Sequence, residues 1–300
     1  MSDYDERNIT LPDGYSAYAR YWPVGEPVGA VLYLHGIQSH CGWYEESARR
    51  LQQAGFAVLQ PDRRGSGRNQ ADRGHAESQQ QLIDDGLACG RRLLELSGLK
   101  QFHLVGISWG GKLACAMAAA EPGLVRSLSL VCPGLFPRVD VSGAEKFRIG
   151  LSMVGNRRRL FDIPLNDPHL FTSQPEWIEF LQSDELTLHQ VTASFFLASR
   201  RMDCVVRDLP GISPLPLHLM VVDDDDIIDS GKTVEFVREL HWPGTRVTHY
   251  PMQTHARIRA GLRGILERSG QLVDIGDGNS ETTVARRVTK EPQRPETILR

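Results

Sequence analysis

Short apolar runs alternate with amphipathic segments through the first half of the chain. Ala30–Leu34, Ala57–Gln60, Phe102–Ile107 and Ser127–Val131 have the length and content of buried strands. Between them, Trp43–Ala54, Gln79–Leu96 and Trp109–Ala120 carry apolar residues at helical spacing. Strands alternating with helices predict a parallel sheet buried on both faces. Ahead of this series, Asn8–Trp22 predicts a β-hairpin turning at Pro12-Asp13-Gly14. The alternation stops at Pro133-Gly134, and from there to about Ile212 the pattern is mostly helical, with Pro164, Pro168 and Pro175 as breakers. One helix at Lys146–Val154 places Phe147, Leu151 and Val154 on one face; Leu188, Val191, Phe195 and Ala198 form a second stripe. The α/β pattern then resumes with strand Leu217–Val222, helix Lys232–Leu240, strand Arg246–Tyr250 and helix Ile258–Arg268. The predicted organisation is a core of residues 1–133 and 213–269 with a helical cap, residues 134–212, inserted into it. The cap is expected over the C-terminal strand ends, where open parallel sheets bind ligands. Residues 270–300 are polar and charged and are expected to form a flexible tail.

Composition sets the outer limits. Hydrophobic content of 41% and charged content of 24% fit a soluble globular protein with a sizeable core. The net charge of −3 supplies no basic footprint, which argues against a nucleic-acid partner. Cys41, Cys89, Cys115, Cys132 and Cys204 are odd in number and lack C-x-x-C spacing, as expected of reduced thiols. The polar, acidic N-terminus lacks the layout of a signal peptide, and no apolar run reaches the roughly 20 residues of a membrane span, so a cytoplasmic location is expected.

Gly106-Ile107-Ser108-Trp109-Gly110 reads G-x-S-x-G at the end of one predicted strand and the start of a helix. By chance the bare motif arises in roughly one chain in ten of this length, so its context matters. A nucleophilic serine needs a sharp strand-to-helix turn that raises its hydroxyl above the sheet, with glycines allowing close approach. The helix N-terminus adds a positive dipole end near the developing oxyanion. Such a serine needs a histidine base, held by a carboxylate, in the chain order serine, acid, histidine. His255 follows the last predicted strand on the same sheet edge as Ser108, whereas His249 falls within that strand, His241 at a helix end, and His169 and His189 within the cap. The acid is expected from Asp223-Asp224-Asp225-Asp226-Ile227-Ile228-Asp229, among which composition alone does not choose.

With these residues the chain resembles the α/β-hydrolase fold, and within it the monoacylglycerol lipase and lysophospholipase-like, serine aminopeptidase-type branch, from about Asp13 to Ser269. Leu34-His35-Gly36-Ile37 is similar to that family's His-Gly oxyanion-loop motif, Pro61-Asp62-Arg63-Arg64-Gly65-Ser66-Gly67 to its D-x-R-G-x-G loop, and Tyr250-Pro251 before His255 to its histidine segment. The resemblance implies a mostly parallel eight-stranded sheet with helices on both faces and a helical cap insertion. It also implies Ser108, Asp225 and His255 as the triad, an oxyanion hole made of the Ile37 and Trp109 backbone N–H groups, and an ordering role for His35. The family's usual glycine before the acid is replaced by Asp223-Asp224, which leaves Asp226 as an alternative register. No cofactor or metal is implied.

The expected reaction is carboxylic ester hydrolysis through an acyl-enzyme, on a small-molecule or lipid ester such as a monoacylglycerol or lysophospholipid. An acyltransferase, thioesterase or carbon–carbon bond hydrolase would use the same triad, and a non-catalytic binding protein could share the fold. In the cap, Phe147, Leu151, Val154, Leu188, Phe195 and Phe196 are candidates to line an acyl pocket. Arg157-Arg158-Arg159 is a candidate contact for a phosphate headgroup or an anionic membrane surface. Glu176, Glu179, Asp184 and Glu185 are the acidic residues an aminopeptidase would need, and the Trp109 indole is expected near the pocket.

Overall fold

The computed structural model describes residues 3–171, 175–223 and 225–250. Three strands, β3 (Gly29–Leu34), β4 (Phe56–Pro61) and β5 (Phe102–Ile107), are buried at every position, as strands covered on both faces must be. They sit inside an eight-stranded sheet that also contains β1 (Asp5–Thr10), β2 (Ser16–Trp22), β6 (Val125–Val131), β9 (Leu217–Val222) and β10 (Arg246–Tyr250). Its order is β1-β2-β4-β3-β5-β6-β9-β10. The expected hairpin is the antiparallel β1–β2 pair, β2 runs antiparallel to β4, and the other neighbours are parallel.

Helices cover both faces. On one side α1 (Glu45–Gln53) sets Ala48 and Leu51 against Val31, Val58 and Val105. On the other, α2 (Gln79–Ser97) and α3 (Trp109–Ala120) bring Leu82, Leu93, Leu113 and Met117 to Leu32, Leu59 and Leu104. Local chemistry fixes the ends of α2: Ser78 accepts from the Gln81 N–H, and Gly98 closes the helix in the left-handed region at φ 72°. After β9, α7 (Ser230–Glu239) starts at an Asp229 cap and buries Val234 and Val237.

Between β6 and β9 lies the insertion. It holds α4 (Gly143–Gly155), β7 (Leu160–Asp162), α5 (Pro175–Ser183), β8 (Gln190–Thr192) and α6 (Ala193–Arg207). The expectation of a helical stripe from Leu188 to Ala198 holds only for its second half. Gln190–Thr192 pairs with β7 as a two-stranded ribbon, and the helix starts after Thr192, whose hydroxyl accepts from the Phe195 N–H. Val191 and Thr192 are β-branched and favour extended backbone, and both registers bury Leu188, Val191, Phe195 and Ala198.

The insertion is tied to the loops that follow β3 and β4, at the C-terminal ends of the parallel strands. Asp184 accepts from the Trp43 indole N–H (2.5 Å) and meets His40 Nε2 (3.0 Å). Arg73 donates to the Leu186 and Thr187 carbonyls, and the Leu188 N–H to the Gln38 carbonyl. An ion pair between the buried Lys112 and the half-buried Asp203 joins α3 to α6. The predicted helix Ile258–Arg268 and the tail from Gly270 lie outside the described residues.

Candidate active site

Ser108 makes the whole turn between β5 and α3. Its backbone stands at φ 51°, ψ −122°, a conformation that costs a non-glycine residue about 1–3 kcal/mol. The surroundings impose it. The Ser108 N–H donates to the Val131 carbonyl (2.9 Å), and the Ser108 carbonyl accepts from Gly111 (2.9 Å) and Gly134 (2.7 Å). The motif glycines answer to contact. A Cβ on Gly106 would stand 2.6 Å from the Gly110 oxygen, and one on Gly110 would stand 2.5 Å from the carbonyl oxygens of Leu34 and His35. Strand, helix and the loop after β3 therefore touch backbone to backbone around a half-buried Ser108.

The loop after β3 lies against the serine: a Cβ on Gly36 would sit 3.5 Å from the Ser108 Cβ. His35 is buried, and its Nε2 accepts from the Arg63 backbone N–H (2.9 Å). That assigns the ring proton to Nδ1, which donates to the Gly36 carbonyl (2.8 Å). Burial, with the Arg63 guanidinium nearby, holds the His35 pKa well below the usual histidine range, so the ring is neutral. Among the described residues, neither the Ile37 nor the Trp109 backbone N–H has a hydrogen-bond acceptor. Trp109 sits at the first position of α3, where helical N–H groups lack partners by geometry.

In the D-x-R-G loop, Asp62 and Arg64 hold the backbone and neighbouring elements in place. The Asp62 carboxylate accepts from the Cys41 and Arg68 N–H groups, and Arg64 donates to Asp85 twice (2.8 and 2.9 Å) and to Asp13. His40, Cys41 and Asp62 each bring one ligand-type atom within 4.8 Å of the others. They make a poor metal set. Both His40 nitrogens and both Asp62 oxygens are engaged elsewhere, and burial, reinforced by Asp62, pushes the Cys41 thiol pKa far up.

Asp225 follows β9. It is half-buried, and its Oδ1 accepts from the Ile227 (2.8 Å) and Ile228 (3.0 Å) N–H groups. Burial raises its pKa against the pull of those two amides. Asp226 is exposed. Ser108 and Asp225 leave the sheet from β5 and β9, which flank β6. Cys132, just past β6, lies between them. Burial and then the Asp225 charge push its thiol up to about 12. His255 lies outside the described residues. Asp223 and His249 form an exposed pair (3.0 Å) at the ends of β9 and β10.

Several side chains stand elsewhere than the sequence suggests. Phe147, Leu151 and Val154 do not face inward; they are 73%, 65% and 90% exposed and form an apolar ridge along α4. Residue spacing identifies a shared face and not the direction it points. Leu188 and Phe195 are core, and the half-buried Phe196 packs edge-on against Phe161. The arginine run is largely occupied. Arg158 pairs with Asp72 and Glu77, Arg157 with Glu77, and Arg159 lies over the Phe161 ring. Asp184 is consumed by His40 and Trp43. The Trp109 indole is buried; it stacks on Phe195 (5.3 Å) and donates to Ser199. Arg63, which sequence reading passes over as the variable position of its motif, is buried beside it.

Residues 25–259 match the family described as serine aminopeptidase, S33. This chain belongs to that family. Curated relatives include human monoglyceride lipase, 32% identical over 43% of this chain and 43% of its own length, and Xenopus laevis monoacylglycerol lipase abhd6-A, 35% identical over 54% and 49%. Those matches span less than half the length of either relative. Among solved structures, the Paleococcus ferrophilus monoacylglycerol lipase superposes with a TM-score of 0.74 at 19% identity, covering 86% of this chain and 99% of that one. A soluble variant of the Saccharomyces cerevisiae monoglyceride lipase gives 0.73 at 17% identity, over 91% and 94%. The S33 chain therefore has the α/β-hydrolase fold: a mostly parallel eight-stranded sheet with helices around it.

Proposed function

We propose that this chain is a carboxylic ester hydrolase acting through an acyl-enzyme on Ser108, with His255 as general base and Asp225 as the acid that orients it. The observation that carries the reading is the strained Ser108 at the β5–α3 turn, beside the N–H groups of Ile37 and Trp109, which lack acceptors among the described residues. In this mechanism His255 takes the Ser108 proton as the hydroxyl oxygen attacks the ester carbonyl. The tetrahedral oxyanion rests on the Ile37 and Trp109 amides. His255 then protonates the departing alcohol, and a water activated by the same ring releases the acid. Asp225 stabilises the imidazolium. Membership of the S33 family, and relatives named monoglyceride lipase and monoacylglycerol lipase, support a monoacylglycerol or lysophospholipid-like substrate.

In this reading residues 134–212 act as a cap, and the Phe147–Leu151–Val154 ridge, with Lys146 and Arg148 on the same helix, is a face suited to transient contact with a lipid surface. The test is a panel of monoacylglycerols, lysophospholipids and short acyl esters run beside Ser108→Ala, with fluorophosphonate labelling mapped by mass spectrometry. We expect label on Ser108 and a loss of several orders of magnitude in turnover for Ser108→Ala. Full activity in that variant would refute the reading.

A further inference from the structure

Two adjacent arginines stand at the start of the loop after β4, and their surroundings differ. Arg64 is neutralised by Asp85 and Asp13. Arg63 is 9% exposed, yet among the described residues it forms no ion pair within 4 Å. Its Nη1 donates to the Gly36 carbonyl (3.2 Å) and its Nη2 to the Ile37 carbonyl (2.8 Å), while its buried Nε finds no partner among the described residues. The guanidinium carbon lies 4.6 Å from the Trp109 ring centre and 5.2 Å from that of Phe195. Burial pushes its pKa down to about 9. The neighbouring Asp62 charge offsets that burial only in part, and a desolvated cation whose direct partners among the described residues are carbonyls and rings is costly to keep.

The Gly36 carbonyl and the Ile37 N–H are the two ends of one peptide group. The Gly36 oxygen receives two donors, Arg63 Nη1 and His35 Nδ1. A charged donor at the carbonyl end of an amide polarises it and makes its N–H a stronger donor, because hydrogen bonds in series reinforce one another in a low dielectric. The second guanidinium bond fixes the next carbonyl, and so the direction of the loop. The stack on Trp109 ties the same group to the residue supplying the other proposed oxyanion donor.

We propose that Arg63 is a positioning residue of the oxyanion hole, its guanidinium orienting and polarising the Gly36–Ile37 peptide so that the Ile37 N–H meets the developing negative charge. The inference rests on the serine-hydrolase reading above.

The experiment compares the parent with Arg63→Met, which keeps the stem and loses the charge, and Arg63→Lys, which keeps the charge and loses the fork. Readouts are kcat and KM on a p-nitrophenyl ester, affinity for a trifluoromethyl ketone that forms a tetrahedral adduct, and fluorophosphonate labelling of Ser108. For Arg63→Met we expect kcat to fall by about 10- to 100-fold, less than the 10²–10³ lost with a direct oxyanion donor. KM should stay within about threefold and ketone affinity should fall with kcat, as for an interaction made in the transition state alone. Arg63→Lys should fall between the two. Parental kcat in Arg63→Met, or a loss of kcat that ketone affinity does not follow, overturns the inference. If Arg63→Met does not fold, parental kcat in Arg63→Lys overturns it, since lysine lacks the planar fork whose two nitrogens each hold one of these carbonyls. A parent left unlabelled at Ser108 overturns the serine reading itself, a result distinct from any failure at Arg63.

Discussion

Adding one methyl group at Gly110 should have a different effect from adding it at Gly150. At Gly110 the new Cβ would stand 2.5 Å from two backbone oxygens, those of Leu34 and His35, where ordinary contact begins near 3.4 Å. Neither oxygen belongs to a side chain that can rotate away. Relief requires α3 and the end of β3 to separate by about 0.9 Å in a close-packed interior. Overpacking of this kind costs about 1–3 kcal/mol. The same shift moves Ser108 relative to the Ile37 amide, and a displacement near 1 Å at a reacting centre costs on the order of 10²-fold in rate. Gly150 lies on the exposed side of α4 with no atom within 4 Å of an added Cβ. Alanine there gains about 0.5–1 kcal/mol through helix propensity and reduced unfolded-state entropy. Urea unfolding followed by tryptophan fluorescence, with initial rates on a short acyl ester, should show Gly110→Ala less stable and nearly inactive. Gly150→Ala should be more stable and fully active. A Gly110→Ala variant with the parental midpoint and parental kcat would refute the claim that backbone contact around Ser108 is close enough to exclude a methyl group.

Phe195→Ala removes a ring that is 1% exposed and stacked on Trp109, and should cost about 3–5 kcal/mol in the same unfolding measurement. Asp184 is pushed up by burial, but hydrogen bonds from His40 and Trp43 prevail and hold its carboxyl below the usual carboxylate range. Its contribution is therefore present above about pH 4 and lost as pH falls through the lowered folded value. Asp184→Asn should lower stability by about 2–3 kcal/mol at pH 7, and the gap between the two urea midpoints should narrow below about pH 4.

The sheet was legible because its signals are local and repeated. Phe102–Ile107 and Leu217–Val222 are apolar over strand length, end in turn residues, and form strands over those same residues. The strand-to-helix turn at Ser108 was legible for the same reason: it needs glycine at two fixed offsets, and the contacts at Gly106 and Gly110 give the physical need. The insertion was harder. Leu188 and Val191 satisfy a helical stripe and a short ribbon equally, because both bury the same side chains. The Phe147 ridge looks like a pocket wall in sequence, since hydrophobicity says that a face wants cover without saying what covers it. The arginine run shows only its charge in the sequence, because its partners Asp72 and Glu77 are more than 70 positions away. Arg63 left no sequence signal of its own, as its role depends on a carbonyl 27 positions upstream.

The position of β6 has a consequence for how the chain is made. In the finished sheet β9 covers the open side of β6, but 85 residues of insertion separate Val131 from Leu217. Until Leu217–Val222 has been synthesised, β6 presents unpaired backbone and apolar side chains on that side. At ordinary rates of translation this lasts on the order of ten seconds. An apolar strand edge left open for that long is where a nascent chain aggregates or recruits a chaperone. Codon choice and translation speed across residues 132–216 should therefore govern the yield of folded protein more strongly than the same changes made before β5 or after β9.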